Sequence, residues 1–183
     1  MTRFLFLAFF LLVGVLLFSL AKLQQRSEEV PYFLRFDEIA AAHQADIDVK
    51  VNASFPPNEQ QVYLLKKDYL ALWAHLNAIY ATNDLKPSKD RLTERIYSTM
   101  AIAYPGTSSG LSHRKDLNHK LTIQNWSRDG LACQVIDSLQ FEYLMPDSTH
   151  YKTDAVLALS LVYQGDNWRL DGIKFIHEKP FSP

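Results

Sequence analysis

The sequence predicts an α+β domain behind an N-terminal hydrophobic helix. Three observations predict it. An unbroken apolar run covers Phe4 to Ala21, two amphipathic helical stretches follow, and the second half changes to two-residue periodicity broken by polar turns.

As a helix the run from Phe4 to Ala21 reaches about 27 Å, close to the ~30 Å hydrocarbon core of a bilayer. Arg3, Lys22 and Arg26 flank it and can snorkel to the headgroups. This reads as a signal anchor at residues 1–21, a polar tether at 22–31, and one extracytoplasmic domain at 32–183. A cleaved secretory signal is the alternative. Arg3, the stretch Phe4–Phe18 and Ser19-Leu20-Ala21 supply its three parts, and cleavage after Ala21 would release a secreted or periplasmic protein. Either way the expected location of the domain is outside the cytoplasm, on a single-pass cell-membrane protein or free of it.

Beyond Arg26 the chain carries sixteen cations against twenty acids, a net charge near −4 without a run of like charge. Nucleic acid and anionic lipid both require a clustered basic face, so neither is an expected partner. Cys133 is the only cysteine, so a core rather than a disulfide framework must hold the domain together.

Tyr32 to Ala45 suits a short helix, and the alternation of Ile47, Val49 and Val51 suits a brief strand. Asn58 with Gln61 forms a capping-box signature. Val62, Leu65, Tyr69, Leu72, Trp73, Leu76 and Tyr80 then make one apolar face of a long helix. A second helix is expected from Ser88, after Pro87, with its stripe at Leu92, Ile96, Tyr97, Met100 and Ala101. Thr107 to Asn118 reads as a polar loop. Strands are expected at Lys120–Trp126, Leu131–Met145, Thr153–Tyr163 and Trp168–Ile176. The short Gly-containing connections predict an antiparallel meander of four or more strands, with the helices packed on one face.

The order of these elements over residues 58–176 resembles the nuclear transport factor 2-like superfamily. The Trp-containing first helix, the Tyr104-Pro105 ending of the second, and Gln164-Gly165-Asp166-Asn167-Trp168-Arg169-Leu170 on the last strand carry the resemblance. It implies a cone in which helices pack into a strongly curved antiparallel sheet. The superfamily holds isomerases, dehydratases and epoxide hydrolases beside non-catalytic, membrane-tethered modules, so the resemblance implies a pocket without naming a reaction.

Asp137 shares strand parity with Leu131, Cys133, Val135, Leu139, Phe141 and Tyr143. On a regular strand it would be a carboxylate among apolar neighbours, fit for general-base work, with Tyr143 or Tyr97 as oxyanion donor. A bulge at Ile136–Ser138 would instead turn it to water, and a strand this long in a curved sheet makes the bulge the expected arrangement. Trp73, Tyr80, Tyr163 and Trp168 could line an apolar pocket, or simply form core. His113, Asp116 and His119 have metal-ligand side chains, but Arg114 and Lys115 among them favour a solvated loop. His75 is expected at a boundary or exposed, and Cys133 as a buried, inert hydrophobe. No metal or cofactor is expected. The function read from the sequence is a non-catalytic, membrane-anchored domain that binds an envelope protein or a small apolar ligand. The alternative is a small cofactor-independent isomerase or hydrolase.

Overall fold

Among the described residues five strands run in the spatial order in which they occur in the chain, with two α-helices and a 3₁₀ turn between the first and the second. The computed structural model describes residues 45–104, 113–145 and 148–180, together with residue 39. The described residues fall within one compact unit, Phe36–Pro183. The apolar run at 4–21, the tether at 22–31 and the helix expected from Tyr32 lie outside them, apart from Ile39, which is helical. Among the described residues no helix is long and apolar enough to cross a membrane.

The α+β class stands, but the sheet is mixed rather than wholly antiparallel. β1 (Asp46–Val51) pairs in parallel with β2 (His113–Trp126), while β2, β3 (Ala132–Leu144), β4 (His150–Gln164) and β5 (Asn167–Pro180) form the expected antiparallel meander. A parallel neighbour needs a long crossover, and the two helices provide it. β1 is an edge strand, and its exposed Asp46, Asp48 and Lys50 discourage further pairing.

α1 (Glu59–Thr82) starts where the capping box placed it. The Asn58 side chain accepts from the Gln61 amide at 2.9 Å, and Gln61 Oε1 accepts from the Asn58 amide at 2.9 Å. It stops at Asn83, whose left-handed φ of 56° a short polar side chain tolerates. Leu65, Tyr69, Leu72, Trp73 and Ile79 are fully enclosed between this helix and the sheet. Each such large apolar side chain contributes roughly 1.5–3 kcal/mol.

The second helix begins later than expected. Residues Lys86–Arg91 form a 3₁₀ turn, and α2 (Glu94–Ala103) is capped by Thr93. Pro87 pre-sets the turn, but the better cap lies six residues on. The Thr93 hydroxyl also donates to Asp171 on β5 at 2.7 Å. Consequently Leu92 is buried ahead of α2, whereas Ile96, Tyr97 and Met100 are only half-buried and Ala101 is exposed.

Register shifts fall on β2 and β5, whereas β3 and β4 pair residue for residue along their whole length. The bulge expected at Ile136–Ser138 is therefore absent, and Asp137 is completely buried. The sheet takes up its bend on the neighbouring strand instead. Between Asp116 and His119, β2 advances three residues while β3 advances two.

Candidate functional site

That extra residue in β2 builds the most unusual feature of the interior. Residues three apart on a regular strand face opposite sides, yet Asp116 and His119 both point inward because the bulge at Leu117–Asn118 restores parity. The loop expected up to Asn118 thus gives way to strand from His113 onward. His119 is fully buried, with Nδ1 2.7 Å from Asp137 Oδ2 and Nε2 2.7 Å from Asp116 Oδ2.

A neutral imidazole has one donor nitrogen and one acceptor. Two carboxylate oxygens, one at each nitrogen, demand two donors, so the geometry specifies an imidazolium. Burial opposes the charge, but the hydrogen bonds and charges of Asp116 and Asp137 outweigh it and raise the His119 pKa from 6.5 to about 9. His75, also fully buried and expected at the surface, behaves oppositely. Burial and the nearby Arg91 charge lower it to about 4, and its Nδ1 lies 3.0 Å from Ser88 Oγ. His75 is neutral where His119 is charged.

α1 completes the network with a stripe at four-residue spacing. The Tyr69 hydroxyl donates to Asp137 Oδ2 at 2.7 Å, the Trp73 ring centroid lies 5.4 Å from that of His119, and Asn77 Nδ2 donates to Asp116 Oδ1. Burial and the adjacent Asp137 charge push the Tyr69 pKa well above 10, so it stays a donor. Arg114 closes the chain by donating from Nε to Asn77 Oδ1 at 3.1 Å. Asp137 Oδ1 remains buried, without a hydrogen-bond partner among the described residues. Tyr69→Phe removes a donor to a buried charge and is expected to cost about 2 kcal/mol. That is a fall in melting temperature of roughly 4–8 °C, read by thermal unfolding. No loss would show that the hydroxyl holds nothing.

The other candidate residues are dispersed. Tyr143 is buried, but its hydroxyl donates to Glu178 Oε1 at 3.0 Å, and burial with that bond raises its pKa. Tyr97 lies on α2 with Lys89 Nζ 5.5 Å from its ring. Neither is brought to Asp137. Trp73 is core beside the network. Tyr80 meets Tyr143 at 6.0 Å between centroids, near the β3–β4 end of the sheet, whereas Tyr163 meets Trp168 at 5.6 Å near the β4–β5 end. Tyr151 and Tyr163 mark those two ends of β4, about 40 Å apart at strand rise. The four aromatics cannot line one small pocket. Cys133 is buried and its thiol is pushed up to about 12, which leaves it unreactive.

Of the metal-ligand candidates His113 is exposed, while Asp116 and His119 are committed to each other. Among the described residues no group of three or more His, Cys, Asp or Glu side chains is arranged to hold a metal ion. Fold and site together define only a class: an α+β domain with a buried carboxylate–imidazolium–carboxylate network clamped by its main helix. No family model matches the chain, and no curated protein matches it.

Proposed function

We propose that this chain is a membrane-tethered, extracytoplasmic domain of the nuclear transport factor 2-like type that binds a small apolar ligand and catalyses no reaction. The observation that carries the reading is the position of Asp137. The carboxylate most suited to act as a base is sealed from solvent, and one of its oxygens already accepts from both Tyr69 and His119. The likeness in type is supported by the long antiparallel hairpins, the bulged strands β2 and β5, and the helix packed across the sheet. The apolar run from Phe4 to Ala21 supports the tether. Tyr151 and Phe175, each 44% exposed and connected through the rings of Tyr143 and Phe141, offer the ligand an aromatic surface.

Purification of the full chain from its native membranes tests this, with organic extraction and mass spectrometry in parallel with crosslinking. A small apolar molecule at near-stoichiometric amounts is the expected result. A crosslinked envelope protein without it would replace the ligand with a partner, and recovery of the protein alone in both arms would sink the binding reading. N-terminal sequencing of the same sample checks the tether. A chain beginning at Lys22 would make the protein a secreted one.

One observation favours the rival isomerase or hydrolase. Asp137 Oδ1 has no hydrogen-bond partner among the described residues, so a lone-pair-bearing oxygen survives inside the network. An Asp137→Asn variant that co-purifies with the same molecule fits binding. One that accumulates a different, unconverted molecule would favour the enzyme.

A further inference from the structure

We propose that Arg114 is the anion anchor of the ligand site, receiving the carboxylate of a small molecule with a flat apolar body at the aromatic end of the sheet. The inference rests on the ligand-binding reading above and adds a charge to the ligand. Arg91, Arg95 and Arg169 each pair with a carboxylate, those of Asp68, Asp171 and Asp90. Arg114 pairs with none among the described residues. Its guanidinium carbon lies 4.7 Å from the Phe141 ring centroid, 4.9 Å from that of Tyr80 and 5.7 Å from that of Trp73.

Ring faces attract a cation but accept only part of its hydrogen bonding. Nε donates to Asn77, whose amide is fixed in turn by Asp116. The Asp116 carboxylate lies 2.7 Å from His119 Nε2 and accepts from the Asn77 amide, which links it to Arg114. One edge of the guanidinium is therefore gripped and aimed, while its terminal nitrogens donate to none of the described residues. Arg114 is half-buried, which leaves it within reach of solvent. A preorganised planar fork matches a carboxylate and spends little freedom on binding one. A phosphate monoester fits less well, because a single guanidinium neutralises one charge and the second would rest against ring faces. The flat body finds its counterpart in the exposed ring of Tyr151, held by stacking on the buried Tyr143 at 4.9 Å with an interplanar angle of 12°.

The experiment compares para-fluorobenzoate with its near-isostere para-fluorobenzamide on the full chain in detergent at neutral pH, observed by fluorine NMR. The carboxylate is expected to bind at least about tenfold more tightly than the amide. Arg114→Gln is expected to abolish that preference, and Arg114→Lys, which keeps the charge without the fork, to retain part of it. Circular dichroism confirms folding, and the lysine variant still reports should the glutamine variant fail to fold. Equal binding of the two probes by the native chain, or a preference surviving in Arg114→Gln, overturns the anchor and leaves the ligand reading intact. Binding of neither probe overturns it too, and the native extract then decides whether the ligand reading falls with it.

Discussion

His119→Leu is expected to destabilise the protein by about 3–5 kcal/mol, the largest loss of any single substitution in the network. The cause is electrostatic rather than volumetric. The imidazolium bridges Asp116 and Asp137, at 2.7 Å from each, and all three side chains are fully buried. Removing one member of a buried ion set leaves uncompensated charge in a medium that solvates it poorly. Leucine fills most of the space, so a cavity contributes little. Thermal unfolding should show a melting temperature lower by roughly 6–20 °C at neutral pH. The variant should recover stability as pH falls, because the two carboxyls, left without their cation, then take up protons. A loss below about 1 kcal/mol, or no recovery in acid, would show that the network contributes specificity but little stability.

The second prediction concerns the wild-type pH profile, in which two buried histidines act with opposite sign. His119 has a folded pKa of about 9 against an ordinary 6.5. A raised value in the folded state means that its contribution is fully present below pH 6.5 and is lost as pH rises through about 9. The difference corresponds to about 3 kcal/mol. His75 has a folded pKa of about 4. Between pH 6.5 and 4 the unfolded chain binds a proton that the folded chain refuses, so stability falls by a similar amount as pH drops through that window. The two limbs place maximum stability close to pH 6.5. Melting temperatures taken from pH 4 to 10 check this. His75→Gln should flatten the acid limb alone, whereas His119→Gln should flatten the alkaline limb and also gain stability in acid, where the uncompensated Asp116 and Asp137 take up protons. An alkaline limb unchanged in His119→Gln would be inconsistent with a buried imidazolium.

Much of the architecture is legible in one dimension because local physics writes it. The Asn58–Gln61 capping box, the apolar stripe of α1 and the turn glycines Gly130 and Gly165, at φ of 75° and 72°, are local signals that survive packing. The start of α2 was misplaced because Pro87 and Asp90 look like a helix start, while Thr93 gains a contact that only the fold provides, its bond to Asp171. The candidate site was half legible. Asp137 stands out by strand parity, and that parity holds without a bulge on β3. Tyr69 was hidden among the apolar residues of its helix, although a buried tyrosine hydroxyl needs a partner and a carboxylate on a facing strand could have supplied one. His119 and Asp116 were hidden by their spacing. Three residues apart, they cannot share a face on a regular strand, and nothing local announces the bulge.

The sequence alone determined the α+β class, the long first helix with its cap, and the hairpins with their turn residues. Each follows from forces acting within a few residues. Tertiary structure decided the rest. The parallel pairing of β1 with β2, the transfer of the bulge from β3 to β2, and the assembly of Tyr69, Asn77, Arg114, Asp116, His119 and Asp137 into one chain of contacts join residues up to 72 positions apart. Such contacts form only when the sheet bends to meet the helix, and a strand bends where its neighbours require it.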